Sequence, residues 1–216
     1  MVYLIQGDER EIGPELRERM AQVMAASDEL TLADARYRLR SAHGILRFAD
    51  RTEAERVAAQ FTEMGFANFL LDEVIPVPRA RLLGVGAQLP EEPMGLVALA
   101  LLSTETARVV ADANPLGRRV GYAFFTGLGS EPREEETVTE RETHYRLDLF
   151  TRESHWLVRS GALPRIVDAF TTLNVTDAYL NEGVHSLSHD DRRVPVFADE
   201  KEHERYLTWL FQLRFA

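Results

Sequence analysis

Two groups of histidine and acidic side chains in this 216-residue sequence have the spacing of metal ligands. His185 and His189 are four positions apart, so a helix would place both imidazoles on one side, next to Asp190, where they can share a metal ion. Glu200 and His203, at positions i and i+3, repeat half of a diiron carboxylate motif. We interpret both groups as surface histidines on charged segments, and metal binding by His185, His189 and Asp190 as the alternative.

The sequence lacks the common motifs of nucleophilic catalysis and phosphate binding. It contains no cysteine, which excludes thiolate nucleophiles and cysteine-bound zinc or iron–sulfur clusters. It has no Gly-x-Ser-x-Gly elbow, and Ser154 and His155 are adjacent on a predicted strand, so their side chains point to opposite faces. Gly84 and Gly86 lack the third glycine of a dinucleotide fingerprint, and there is no Gly-Lys-Ser/Thr phosphate loop. We therefore expect no cofactor.

The charge of the chain limits its classes of partner. Aspartate and glutamate total 35 against 25 lysines and arginines, and the resulting net charge of −10 repels nucleic-acid phosphates and anionic lipid headgroups. Lys201 is the only lysine, a bias typical of a GC-rich bacterial genome. The longest apolar run, residues 96–102, is far shorter than the ~20 residues of a membrane helix. The first residues of the sequence lack the basic leader of a signal peptide. The sequence predicts a cytoplasmic protein without nucleic-acid or membrane partners.

The elements that position these side chains are clearest in the first third of the chain. Apolar runs predict strands over 2–5, 45–48 and 67–77. Helix-start signals predict three helices, beginning at Pro14, at a capping pattern on Thr31 and at a capping box on Thr52. Gly44 and Gly65 end the second and third helices. The predicted order over residues 1–76 is β-α-α-β-α-β, an open sheet with its helices on one face.

Three patterns in this segment resemble the C-terminal domain of the bacterial ribosomal stalk protein. They are Leu-Thr-Leu-Ala-Asp-Ala-Arg over 30–36, Thr-Glu-Ala-Glu over 52–55 and Met-Gly-Phe-Ala over 64–67. His43 and Gly44, after the second helix, are similar to a pair in the related fold of the Clp-protease adaptor. The resemblance covers about residues 1–75 and implies this fold and the binding of another protein. The Lys-rich contact face of the stalk domain has no counterpart here, so its ribosomal role is not carried over.

Residues 79–216 are predicted to form a second, strand-rich domain after Pro76-Val77-Pro78, because prolines interrupt strand pairing. Strands are predicted over 81–88, 95–103, 120–126, 137–150 and 154–159, an acidic loop over 127–136, and helical turns or helices over 104–113, 166–173 and 199–215. The 137–150 strand alternates throughout, with His144, Arg146 and Asp148 on a face expected to meet water. The fold class is α+β, with this antiparallel sheet closed by the C-terminal helix as an open barrel or a pleckstrin-homology-like sandwich.

The first functional hypothesis is a non-enzymatic protein-binding or assembly module. Another protein is the expected partner, and self-association stays open. The contact candidates lie on the second helix and at the end of the chain: Arg36, Tyr37, Arg40, Arg214 and Phe215.

The alternative is a small-molecule-binding regulator or a metal-dependent hydrolase, with its site between the C-terminal sheet and the last helix. Folding would then bring together side chains that are distant in sequence. The candidates for that convergence are His144, His155, His185 and Asp190.

Overall fold

A computed structural model describes residues 1–9, 12–27, 30–84, 87–110, 136–188 and 194–216. Over 104–110 and 136–141 and at position 188 we describe the backbone alone. The predicted strand over 120–126, nearly all of the acidic loop over 127–136, and Gly86, His189 and Asp190 lie outside the described residues.

The N-terminal segment forms a three-stranded antiparallel sheet and three helices in the predicted β-α-α-β-α-β order. The elements are β1 (Val2–Gln6), α1 (Pro14–Ser27), α2 (Leu32–Ser41), β2 (Ile45–Phe48), α3 (Arg51–Glu63) and β3 (Asn68–Leu71). The strands follow the spatial order β2-β1-β3. The third strand is shorter than the predicted 67–77, since pairing with β1 ends at Leu71.

Side-chain caps begin two of these helices. The Thr31 hydroxyl accepts the Asp34 N–H at 3.1 Å, as the sequence pattern predicts. The predicted capping box on Thr52 is wrong, because the cap lies two residues earlier at Asp50, whose carboxylate accepts the Glu53 N–H at 2.9 Å. A carboxylate is favoured at this place over a hydroxyl because it also faces the positive end of the helix dipole.

Both faces of the N-terminal sheet are covered. Val2 and Leu4 of β1 pack with the three helices, as the prediction of helices on one face requires. Ile5 points the other way and belongs to a second core that includes the last helix of the chain. Alternate residues of one short strand therefore enter two different cores.

The described residues of the second half of the chain form a six-stranded mixed sheet with three helices. The elements are β4 (Ala80–Leu83), β5 (Leu96–Val110), β6 (Glu136–Phe150), β7 (His155–Ser160), α4 (Leu163–Thr171), β8 (Tyr179–Leu180), α5 (Glu182–Ser188), β9 (Val196–Phe197) and α6 (Glu200–Phe215). The order is β4-β7-β6-β5-β8, with β9 also paired to β5. The central strands β7, β6 and β5 are antiparallel, as predicted, whereas β4, β8 and β9 pair in parallel.

Strand β5 is longer than the sequence indicates. The prediction of helical turns over 104–113 is wrong up to Val110, since β5 pairs with β6 along its full length, from Leu96 opposite Phe150 to Val110 opposite Glu136. Every residue in the polar part of β5, from Ser103 to Val110, pairs with a residue of the alternating strand β6. Pairing between distant strands therefore outweighs its local sequence signal.

Helix α6 lies between the two sheets and contacts both. Leu207, Leu210 and Phe211 pack in one core with Ile5 of the first sheet and Phe150 of the second. The Gln212 side chain holds residue 75 at both backbone groups, accepting its N–H at 2.7 Å and donating to its carbonyl at 2.8 Å. The predicted division into domains 1–76 and 79–216 stays a prediction, and α6 belongs by its contacts to both halves.

None of the helices in the described part of the chain combines the length and the apolar character needed to cross a bilayer.

Candidate functional site

A cleft of about 290 Å³ opens where the N-terminal helices meet α6, and we call it the junction cleft. Its polar lining comprises Gln6, Glu9, Arg17, Arg40, His43 and Tyr206. Its apolar lining comprises Ile12, Leu39, Gly44 and Trp209. Side chains from the beginning and the end of the chain therefore share one concave surface, the kind of place where ligand sites are usually found.

The turn between α2 and β2 forms one wall of the junction cleft in an uncommon backbone conformation. His43 has a φ of 44° and Gly44 a φ of 83°. A Cβ atom on Gly44 would lie 2.6 Å from the Trp209 ring, so only glycine lets the indole lie against this backbone. The indole N–H in turn donates to the carbonyl of Gln6 at 2.9 Å. The backbone of the wall is therefore strained at His43, and Trp209 of α6 holds it in place. Backbone strain of this kind is common at functional sites.

The carboxylate of Glu9 joins the two halves of the chain at the back of the junction cleft. It accepts the Tyr206 hydroxyl at 2.9 Å and the Glu182 N–H at 3.3 Å. The Tyr206 oxygen also accepts from Asn181 at 3.0 Å, and Asn181 bonds both backbone groups of Leu99 on β5. We call this set, together with Tyr179, the Glu9 network.

Burial dominates the ionisation of the Glu9 network. It raises the pKa of the Glu9 carboxyl even though hydrogen bonds from Tyr179, Glu182 and Tyr206 oppose the shift. Burial and the neighbouring Glu9 charge also raise the pKa of both tyrosines. The carboxyl therefore takes up a proton more readily than an exposed glutamate, and the tyrosines act only as neutral hydrogen-bonding groups.

Two basic side chains line the junction cleft without a partner among the described residues. Arg40, exposed on α2, and His43 form no hydrogen bond or ion pair there. Arg17, by contrast, already donates to the Ile12 carbonyl at 3.0 Å. The Arg40 and His43 side chains are therefore available to bind a ligand.

A second polar group, the Asp148 cluster, lies buried under α6. Asp148 accepts three hydrogen bonds from Arg146, at 3.0 to 3.1 Å, and one from His155 Nε2 at 2.7 Å. His203 of α6 lies above it, with its Nε2 3.6 Å from the second carboxylate oxygen. The His155 ring stacks on Phe150 with centroids 4.0 Å apart. All four members of the cluster are buried, so it has no surface on which to bind a substrate.

Burial and neighbouring charges act in opposite directions on the pKa values of Asp148 and His203. Burial alone would raise the pKa of Asp148, but the His155 hydrogen bond and the Arg146 charge hold it below its usual value. Burial lowers the pKa of His203 to about 4, with Asp148 only partly opposing the shift. Neither ring nitrogen of His203 has a hydrogen-bond partner among the described residues. At neutral pH the cluster therefore contains an ionised aspartate and a neutral His203.

These positions correct two sequence predictions. The face of β6 expected to meet water is buried at Arg146 and Asp148, because α6 covers it. His203 is also buried, although we interpreted it as a surface histidine. A usable signal existed: His203 precedes Leu207 by four residues and Leu210 by seven, and so lies on the apolar stripe of α6.

A third polar surface lies at the beginning of α6. It is a cleft of about 390 Å³ lined by Glu142, His144, Arg159, Ser160, Gly161 and Glu200. Arg159 and Glu200 form an ion pair across it, so these opposite charges satisfy each other. Burial lowers the pKa of His144, whose Nε2 has no partner among the described residues.

The metal set of His185, His189 and Asp190 stays a prediction, because His189 and Asp190 lie outside the described residues. Helix α5 carries its own Glu-x-x-His, from Glu182 to His185, but both residues are exposed, whereas His203 is buried in the Asp148 cluster. Of the four side chains proposed to converge, His155 is in the Asp148 cluster and His144 in the cleft at the beginning of α6. Among the described residues, no three histidine or acidic side chains are placed to hold a metal ion.

The predicted partner contacts differ in their surroundings. Tyr37 is 69% exposed on α2, while Arg36 beside it pairs with Glu18 of α1 at 2.8 Å. Arg214 donates to two backbone carbonyls of its own chain, both at 2.9 Å. Phe215 packs against Phe211 with ring centroids 4.6 Å apart. Arg40 is the candidate that the structure places in a cleft.

Comparison with protein-family models, with curated proteins and with solved structures finds no match to this chain.

Proposed function

We propose that the protein is a non-enzymatic binding protein that takes a small molecule in the junction cleft. The observation that carries this proposal is the pair Arg40 and His43, two basic side chains that line a cleft and have no partner among the described residues. Ligand sites are concave surfaces with a small number of polar groups that fix the orientation of the ligand. Arg40 and His43 supply such groups without giving up a contact among the described residues.

The position of the junction cleft gives binding a structural consequence. Its walls come from the first strand, the N-terminal helices and α6, so a ligand would contact both ends of the chain at once. A molecule that binds this surface binds only the folded state. At 100 times its dissociation constant it stabilises the protein by about 2.7 kcal/mol.

Thermal denaturation with a panel of small acids, bases and neutral molecules tests the proposal. We expect at least one member to raise the midpoint by several degrees in the wild type. Arg40→Glu should abolish that shift, because it reverses a charge at the cleft mouth. The matched control is Arg56→Glu, the same change at an exposed position of α3. A panel without any stabilising member, or equal shifts in both variants, would overturn the proposal.

A second candidate function, the binding of another protein through α2, is supported by one observation. Tyr37 is a large aromatic side chain that is 69% exposed on this helix. Aromatic residues are enriched in protein interfaces. A photo-crosslinking amino acid at position 37 should capture one defined protein in cells, and the same group at position 56 should not. Equal capture from both positions would contradict this role.

A further inference from the structure

We infer that the ligand of the junction cleft is a small carboxylic acid with an apolar body, and that Glu9 is protonated when it binds. This inference rests on the proposed function of the cleft and specifies the chemistry of its ligand and its control by pH.

The charge of the cleft favours an anion. Arg17 and Arg40 contribute positive charge to its lining, and Glu9 is the one carboxyl group among the described lining residues. This basic lining is local, since the whole chain carries a net charge of −10. Arginine has a planar fork of N–H donors that matches a carboxylate, and such charge-assisted hydrogen bonds are the stronger ones.

The rest of the lining favours a short apolar body. Ile12 and Leu39 contribute aliphatic surface, and the edge of Trp209 closes the floor over Gly44. At about 290 Å³ the cleft lies at the lower end of the volumes of small-molecule sites. A compact monocarboxylate fits this combination better than a nucleotide or a polyanion.

Glu9 supplies the coupling to pH. It faces Tyr206 from α6, Tyr179 from β8 and Glu182 from α5. Asp8 precedes it in the chain, and the basic side chains that line the described part of the same cleft are Arg17, Arg40 and His43.

An ionised Glu9 would repel a carboxylate ligand in this cleft, whereas the protonated acid is neutral and can donate a hydrogen bond. The surroundings already favour protonation, because burial raises the pKa of Glu9. Binding of the acid is therefore accompanied by uptake of a proton when Glu9 is ionised in the free protein.

A matched set of ligands tests the inference by fluorescence of Trp209. The chain has two tryptophans, so Trp156→Phe leaves Trp209 as the only reporter. Hexanoate, hexanamide and hexylammonium share one apolar body and differ in charge. We expect hexanoate to bind most tightly and its affinity to fall about tenfold per pH unit above the pKa of Glu9, as the binding-competent fraction falls. Calorimetry in buffers of different ionisation enthalpy should show the proton uptake.

The variant Glu9→Gln keeps a side chain that can accept from Tyr206 and removes the titration. We expect hexanoate affinity in this variant to lose the tenfold fall per pH unit that the wild type shows above the pKa of Glu9, and to lose the proton uptake assigned to Glu9. Arg40→Glu should weaken hexanoate at least tenfold, and Arg56→Glu should not change it.

The outcomes separate this inference from the proposed function. Tight binding of the amide or the amine, with loss in Arg40→Glu, would overturn the carboxylate ligand and leave the junction cleft as a binding site. Hexanoate binding with the same pH dependence in the wild type and Glu9→Gln would overturn the role of Glu9. A cleft that binds none of the three compounds, in a protein that no small molecule stabilises, would overturn the proposed function itself.

Discussion

The buried imidazole of His203 should make this protein sensitive to mild acid. Its side chain is fully buried beside Phe197 and Tyr206, and burial lowers its pKa from 6.5 to about 4. The unfolded chain therefore binds a proton at this residue between these two pH values, while the folded chain does not. Stability from the neutral imidazole is complete above about pH 6.5 and is lost as the pH falls towards 4.

The size of the effect follows from the shift in pKa. Each pKa unit corresponds to about 1.4 kcal/mol, so the full loss is about 3 kcal/mol, of which about 2 kcal/mol is lost by about pH 5. Asp148 adds to the loss only at lower pH, because its pKa lies below the usual range. Glu9 acts in the opposite direction: its raised pKa stabilises the fold at low pH, and this contribution is lost as the pH rises through the folded-state value.

A comparison with His203→Leu isolates the imidazole. Leucine has no titrating group, and the variant gives up no hydrogen bond that the described residues make to either ring nitrogen. We expect the wild type, relative to the variant, to lose about 2 kcal/mol of unfolding free energy between about pH 7.5 and about pH 5. Urea denaturation at a series of pH values measures this difference, in which the contribution of Glu9 cancels.

Two further measurements complete the test. His185→Leu makes the same substitution at an exposed histidine and should leave the pH dependence unchanged. NMR titration of the folded wild type should give an apparent pKa near 4 for His203. A His203 resonance that titrates near 6.5, or parallel pH profiles for the wild type and His203→Leu, would refute the reasoning.

Four other substitutions test contacts of the fold by urea denaturation. Asp148→Asn should destabilise the fold by about 3–5 kcal/mol, because it leaves the Arg146 charge buried without its partner; a loss below about 1 kcal/mol would contradict the ion-pair geometry. Gly44→Ala and Gly65→Ala both place a side chain at a φ of 83°, which costs about 1–2 kcal/mol, but only Gly44 also has an indole 2.6 Å from the new Cβ, so equal losses would argue against that contact. Gln212→Ala should cost about 1–3 kcal/mol by removing two hydrogen bonds to the segment between the sheets, and a neutral result would show that α6 does not need them.

The N-terminal segment could be predicted because its signals are local. A capping threonine at position 31, a glycine at 65 with a φ of 83° and short apolar runs each act within a few residues. The wrong prediction for the start of α3 also comes from local signals, because two capping residues lie close together there. Asp50 and Thr52 both have side chains that can cap a helix, and the structure has the Asp50 carboxylate at this place.

The junction cleft could not be predicted because its contacts join opposite ends of the chain. The hydrogen bond from Tyr206 to Glu9 spans 197 residues, and that from Trp209 to Gln6 spans 203. No sequence spacing encodes such a pair. The Asp148 cluster is a related case, since the alternation of β6 correctly places Arg146 and Asp148 on one face but does not reveal that α6 covers it.

The spacing of four side chains on α6 explains how one helix can serve both sheets. His203, Tyr206, Trp209 and Gln212 follow one another at intervals of three residues. Because a helix turns by about 100° per residue, each interval of three residues falls about 60° short of a full circle. The four side chains therefore cover about half of the helix circumference. It begins at the Asp148 cluster of the second sheet, passes the Glu9 network and the α2–β2 turn, and ends on the segment after the first sheet. Since Tyr206 lies within one turn of His203, a displacement of α6 that relieves a protonated His203 also displaces a wall of the junction cleft.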